Sequence, residues 1–208
     1  MFLVGITGPI AAGKTTVAKL YHEIGAYLLD ADKIGHQLLE DPEIKQKIVE
    51  TFGEEVLDPE GKIDRKKLGA IVFEDAEKLE KLNQIMEKPL VSALREKIIE
   101  LDEYGYPGIV VVDAALLPKW DLVKAMDLIV LVDAPRWQRL NRLVRQLGYT
   151  QEEAERRIEA QEEIFKSFHP KKAIVVKNNG DMFELKTNAL SAWLQIRELA
   201  RQKAEANR

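Results

Sequence analysis

A chain of 208 residues, 46% hydrophobic and 32% charged, has room for one domain, or one domain carrying an insertion, around a sizeable core. Its net charge of −4 supplies no basic field for nucleic acid, and the absence of cysteine removes disulfides and thiolate metal sites together. Three scattered histidines, His22, His36 and His169, make no ligand pattern, no apolar run reaches membrane-spanning length, and the first residues read as a core strand rather than a secretory signal, so a cytoplasmic protein is expected.

The chain opens on the apolar run Phe2-Leu3-Val4-Gly5-Ile6, a buried strand. Residues 8–15 follow as Gly8-Pro9-Ile10-Ala11-Ala12-Gly13-Lys14-Thr15, which fits G-x-x-x-x-G-K-[ST], and a helix bearing Val17, Leu20 and Ile24 comes next. This strand–loop–helix setting marks a phosphate-binding loop. Glycine lets the backbone turn its N–H groups toward phosphate oxygens, and the positive end of the helix adds to the attraction. Residues Gly8 to Thr16 are the expected ATP cradle, with Lys14 reaching the β- and γ-phosphates and the Thr15 hydroxyl on Mg²⁺.

A second strand is expected at 26–29, ending in Asp30-Ala31-Asp32 ahead of a helix at 33–39. Two carboxylates at i and i+2, on the carboxyl end of a strand beside the phosphate loop, suit an acceptor site. One can take a proton from an attacking hydroxyl and the other can hold water on Mg²⁺. Helix capping is the ordinary alternative use of such aspartates.

The interval 41–106 is too long for a crossover and reads as a helical insertion. A helix at Glu43–Phe52 precedes a turn at Asp58-Pro59-Glu60-Gly61, and Asp64 can cap a short helix carrying Leu68, Ile71 and Val72. A long amphipathic stretch from Asp75 to about Leu101 holds Leu79, Leu82, Met86, Leu90, Leu94 and Ile98, with Pro89 expected to kink or divide it. The placement suggests a substrate-covering subdomain.

Strands follow at 109–112, closed by Asp113 in the pattern of a Walker-B carboxylate facing the metal, and at 128–132. Residues 135–168 are a charge-dense helical excursion, carrying Arg136, Arg139, Arg142, Arg145, Arg156 and Arg157. Such a segment can act as a lid that brings arginine to a transferring phosphate. Steps of three rotate the first four arginines progressively around a helix, so at most one or two act there, and most are expected to be solvated. A last strand at 173–176 leads into Asn178-Asn179-Gly180-Asp181, a tight turn beside which an adenine can rest. Continuous apolar strands separated by helices give an α/β class with a parallel sheet buried on both faces.

Taken together these segments resemble the dephospho-coenzyme A kinase family, nearly end to end. The likeness lies in Gly5-Ile6-Thr7-Gly8, in Asp30-Ala31-Asp32, and in Phe52-Gly53-Glu54-Glu55-Val56-Leu57 with Gly61-Lys62-Ile63-Asp64-Arg65, closed by Phe73. Ala154 to Gln161 and Asn178-Asn179-Gly180 extend it. The resemblance implies a P-loop kinase core with strand order 2-3-1-4-5, formed by 1–40, 107–134 and 170–208. It also implies a helical acceptor-binding insertion at 41–106 and a lid at 135–169. The implied activity is transfer of the ATP γ-phosphate to the ribose 3′-hydroxyl of dephospho-coenzyme A, with Mg²⁺, by a monomer or small homo-oligomer.

The resemblance further implies Asp32 as catalytic base and the turn holding Asn179 on the adenine side, while the motifs themselves put Lys14 on the transferring phosphates and Thr15, Asp30 and Asp113 about the metal. The family's Gly-Gly-x-Gly-Ser-Gly is here Gly8-Pro9-Ile10-Ala11-Ala12-Gly13, its His-Pro is Lys88-Pro89, and its Pro-Leu-Leu-Phe-Glu is Ala115-Leu116-Leu117-Pro118-Lys119. Its lid Arg-Asp falls at Gln146-Leu147, leaving Arg142 and Arg145 to supply the charge. A kinase for a nucleoside or nucleoside monophosphate is the rival enzyme. A nucleotide switch is disfavoured, because Val132-Asp133-Ala134-Pro135 stands where a base-recognition segment would be.

Overall fold

The computed structural model describes residues 1–206. In chain order it contains β1 (Phe2–Thr7), α1 (Lys14–Glu23), β2 (Tyr27–Asp30), α2 (Ala31–Leu38), α3 (Pro42–Phe52), α4 (Arg65–Phe73) and α5 (Ala76–Glu103). Then follow β3 (Ile109–Asp113), β4 (Leu128–Asp133), α6 (Arg136–Leu147), α7 (Gln151–Lys166), β5 (Ala173–Lys177) and α8 (Met182–Ala206). All strand pairs are parallel, in the order β2-β3-β1-β4-β5.

The chain divides into two compact units. The first joins Met1–Asp30 to Ile98–Arg208 and contains the whole sheet. Its central strands β1, β3 and β4 are the Val- and Ile-rich runs, and Val4, Ile6, Val110, Val111, Val112 and Val130 have no exposed surface. The outer strands depart from the expected two-sided burial. In β5 only Val176 is fully buried and Val175 is half exposed, because an edge strand has a neighbour on one side only. Helices α1 and α8 bring Val17, Ala18, Tyr21, Leu185, Ala189, Trp193 and Ile196 into the core with β1, β3 and β4. There the Tyr21 and Trp193 rings lie 5.0 Å apart and the Tyr21 hydroxyl donates to the Ala189 carbonyl at 3.0 Å. Burial raises the Tyr21 phenol pKa well above its ordinary value.

The second unit, Ala31–Lys97, has its own core of Ile44, Ile48, Phe52, Val56, Leu68 and Val72. Its helices start on aspartates. Asp41 Oδ1 accepts from the Glu43 and Ile44 amides ahead of Pro42, and Asp64 Oδ1 accepts from Lys66 and Lys67. Asp58 closes the expected turn by accepting from the Glu60 and Lys62 amides. Helix α5 starts in this unit and is not divided at Pro89; its 28 residues run as one helix. The missing N–H removes one rung, and the apolar stripe that packs Leu79, Leu82, Ile85 and Met86 on the unit's core outweighs that loss. Among the described residues no helix is long and apolar enough to cross a membrane.

Candidate active site

The loop that follows β1 lies between the carboxyl ends of β3 and β4, the crevice where open parallel sheets take ligands. Its shape follows from a few residues. A side chain at Gly8 would strike the backbone carbonyl of Val132, so β4 passes close beneath only because position 8 is glycine. Ala12 N–H donates to the Pro9 carbonyl at 3.0 Å, closing a turn, and Gly13 takes φ 102°. Helix α1 then begins at Lys14 with no side chain capping its first amides, which leaves its positive end to an anion.

Lys14 crosses to the end of β3. Its Nζ lies 2.6 Å from Asp113 Oδ1, with both side chains nearly buried, 12% and 5% exposed. Asp30, the last residue of β2, is the register partner of Asp113, so two carboxylates end neighbouring strands. Strand β2 extends one residue beyond the expected 26–29, and α2 starts at Ala31 rather than 33. Asp32 therefore stands inside the first turn of α2, exposed to solvent. Thr15 is exposed in the first turn of α1 and Thr16 half-buried beside it. Thr15, Asp113 and Asp30 offer oxygen donors only, the chemistry a hard divalent cation requires. Among the described residues no three His, Cys, Asp or Glu side chains gather into a metal cage, so phosphate and water would have to complete such a shell.

The arginine-rich excursion is two helices, α6 and α7, and the expectation that most of its arginines are solvated holds for only half of them. Arg136, Arg145 and Arg156 are exposed, Arg136 bonding Glu159 and Glu162. Arg139 is buried, 8% exposed; its Nε donates to the Ala134 carbonyl and its Nη1 has no hydrogen-bond partner among the described residues. Arg157 covers the Tyr149 ring at 4.2 Å. Arg142 is half-buried and reaches the phosphate loop, its Nη1 donating to the Ala11 carbonyl at 3.0 Å. Burial lowers the guanidinium pKa of both Arg139 and Arg142. Thus Arg142 is brought to the loop and Arg145 is not.

The sequence model of the dephospho-CoA kinase family matches residues 2–184. The dephospho-CoA kinase of Dehalococcoides mccartyi is 38% identical over 186 residues, covering 88% of this chain and 91% of its own length. The chain belongs to the dephospho-CoA kinase family. The member from Streptomyces avermitilis is 38% identical over 208 residues, with 99% of both chains covered. Among solved structures, the Thermus thermophilus protein TT1252 superposes with a TM-score of 0.72 at 29% identity, covering 93% of this chain and 96% of that one.

Against the dephospho-CoA kinase pattern, Ala11 stands where glycine is usual, yet it keeps the left-handed backbone with φ 60°. Such a conformation costs an L residue roughly 1–2 kcal/mol, so something else holds the loop. The residues that do so were missed by the sequence reading. Asn178, rather than Asn179, is the buried member of the turn after β5, and its Nδ2 donates to the Ala12 carbonyl at 2.7 Å. Asn179 is exposed, and its carbonyl accepts from Gln138 Nε2. Gln161 of α7 accepts from the Ile10 amide at 2.8 Å. One signal was present: Gln161 continues the stripe of Ala154 and Ile158, so a glutamine occupies a buried helical face.

Proposed function

We propose that the protein transfers the γ-phosphoryl group of ATP to the ribose 3′-hydroxyl of dephospho-coenzyme A, giving coenzyme A and ADP. The observation that carries this reading is the Lys14–Asp113 pair at the open end of α1, in a chain of this family. A lysine and a strand-end carboxylate meeting beside uncapped helix amides is the equipment of a triphosphate site. In this reading the backbone from Gly8 to Thr16 cradles the phosphates, Lys14 moves from Asp113 onto the β- and γ-phosphates, and Asn179 flanks the adenine.

Thr15, Asp113 and Asp30 would hold Mg²⁺, which when bound neutralises charge on the phosphates. Asp32 takes the proton of the 3′-hydroxyl as its oxygen bonds to the γ-phosphorus. The bond from that phosphorus to the β,γ-bridging oxygen breaks, and ADP leaves with the electron pair. Residues 135–169 act as the lid, with Arg142 or Arg145 offsetting the developing charge, and residues 41–106 hold the acceptor. The exposure of Asp32 in the first turn of α2 supports a role toward an incoming ligand. The reading carries with it a cytoplasmic enzyme acting on small molecules, as a monomer or small homo-oligomer.

The test is turnover of ATP–Mg²⁺ against dephospho-coenzyme A, AMP, uridine and no acceptor. Turnover with dephospho-coenzyme A well above the other three is expected. Equal or faster phosphorylation of AMP or uridine would replace the reading with a nucleotide or nucleoside kinase.

A further inference from the structure

Three consecutive residues of the phosphate loop are each gripped by a side chain from a distant part of the chain. Gln161 accepts from the Ile10 amide at 2.8 Å, Arg142 donates to the Ala11 carbonyl at 3.0 Å, and Asn178 donates to the Ala12 carbonyl at 2.7 Å. Asn178 joins most of this together. Its Oδ1 accepts from Arg142 Nη2 at 3.0 Å, its backbone carbonyl accepts from the same nitrogen at 3.2 Å, and its amide donates to the Asp133 carbonyl at 2.7 Å. It is 5% exposed and lies against Gly13, where an added Cβ would meet its Nδ2. Gln138 accepts from the same Arg142 nitrogen at 3.3 Å.

The grip falls where the loop is least comfortable. Ala11 has φ 60°, the one non-glycine residue with positive φ among those described. Left alone, an alanine would swing out of that region, and the amides that follow it would turn away from a bound phosphate. The two carbonyl contacts pin the two successive peptides that follow Ala11 and Ala12 and prevent this. Because they take up carbonyl oxygens, these two contacts consume no loop amide themselves; the Ile10 and Ala12 amides are held separately, by Gln161 and by the Pro9 carbonyl. Both terminal nitrogens of Arg142 are committed to the network, so Arg142 is half of the brace.

We propose that Asn178 is a positioning residue for phosphoryl transfer: with Arg142 it holds the phosphate loop in a left-handed turn that an unbraced Ala11 would abandon. The proposal rests on the loop being the ATP site. It goes further in assigning a cause for the loop's shape and a cost for losing it. A residue that merely packs the turn after β5 would affect melting and nothing else. A brace affects ATP affinity, and its loss is relieved where the strain is removed.

The experiment is a mutant cycle on the full chain with Asn178→Ala, Asn178→Asp, Ala11→Gly and the two double variants. The dissociation constant of ATP–Mg²⁺ is measured by calorimetry without acceptor, and kcat and KM are measured with dephospho-coenzyme A. Asn178→Asp keeps the shape and the contact to Arg142 but cannot donate to the Ala12 carbonyl, so it carries the test should Asn178→Ala not fold.

Both single variants at 178 are expected to weaken ATP binding on the order of tenfold, the consequence of one buried acceptor left unpaired. The KM for ATP should rise far more than that for the acceptor. Adding Ala11→Gly should return most of the loss. Folded Asn178→Asp protein that binds ATP within about twofold of the unaltered chain, or double variants no better than the singles, would overturn the brace. Failure of the unaltered chain to bind ATP would instead remove the nucleotide site itself, and the brace with it.

Discussion

Lys14 and Asp113 are each other's counter-charge in a nearly dry place, and that ties chemistry to stability at one residue. Lys14→Ala removes the charge that serves the phosphates and leaves Asp113 buried without its ammonium. Transfer should fall below detection, and the melting temperature should drop as well, since breaking a buried pair from one side costs about 3 kcal/mol or more. Removing both partners, as Lys14→Ala/Asp113→Ala, should recover part of the stability and none of the activity. Turnover and thermal melts on the three proteins separate the two effects; an active Lys14→Ala protein would contradict the loop assignment.

Asp32 offers the opposite case, since it is exposed and stands in the first turn of a helix that Ala31 already opens. Asp32→Asn should lower the single-turnover rate by on the order of 10²–10⁴, as expected for a lost general base, with ATP affinity unchanged. Asp30→Asn should cost less. Intact chemistry with failed binding would make Asp32 a contact residue instead.

At the scale of elements, α7 begins with a reciprocal cap. The Thr150 amide and hydroxyl donate to Glu153 Oε2 at 2.8 and 2.9 Å, and the Glu153 amide donates to Thr150 Oγ1 at 3.2 Å. The Thr150 backbone bond first, and its side-chain bond second, hold the Glu153 carboxyl pKa below its ordinary 4.5. A depressed folded pKa means that this contact stabilises α7 fully above 4.5 and is lost as pH falls through the lower folded value. Protection of the Glu153 and Ala154 amides, taken relative to the intrinsic exchange rate at each pH, should therefore fall below pH 4.5, and Thr150→Ala should lower it at neutral pH. Protection unchanged across that window would show that the cap does not set the end of the helix.

Elements were the level at which the sequence was most readable. The continuous Val and Ile runs gave β1, β3 and β4, and the caps at Asp64 and the turn at Asp58 stood where aspartate chemistry put them. Burial was misjudged at the sheet edge, where an apolar run such as Ala173–Val176 is indistinguishable from a central strand. Pro89 is expected to kink or divide the helix because propensity is local; the helix is not divided, because the stripe that carries it through belongs to the packing of the whole unit.

For the whole molecule, what escaped the sequence is contact across long separations. Arg142 meets a residue 131 positions away and Asn178 one 166 away, and nothing local in either segment announces the partner. The phosphate loop was legible because its chemistry is written in eight consecutive residues. The side chains that hold it were not, because α6, α7 and the turn after β5 each supply one. The role of residues 41–106 is likewise decided by a ligand, and we propose that they serve the long acceptor. Contacts to the remote pantetheine arm can be used to orient the reacting hydroxyl, so shortening the acceptor should lower kcat and not merely raise KM.

The most direct measurement compares dephospho-coenzyme A with adenosine and AMP at fixed ATP–Mg²⁺, reading by phosphorus NMR where the new phosphate sits. Phosphate is expected on the ribose 3′-oxygen of the long acceptor, at a kcat well above that of either fragment. Equal or faster conversion of AMP to ADP would contradict this expectation.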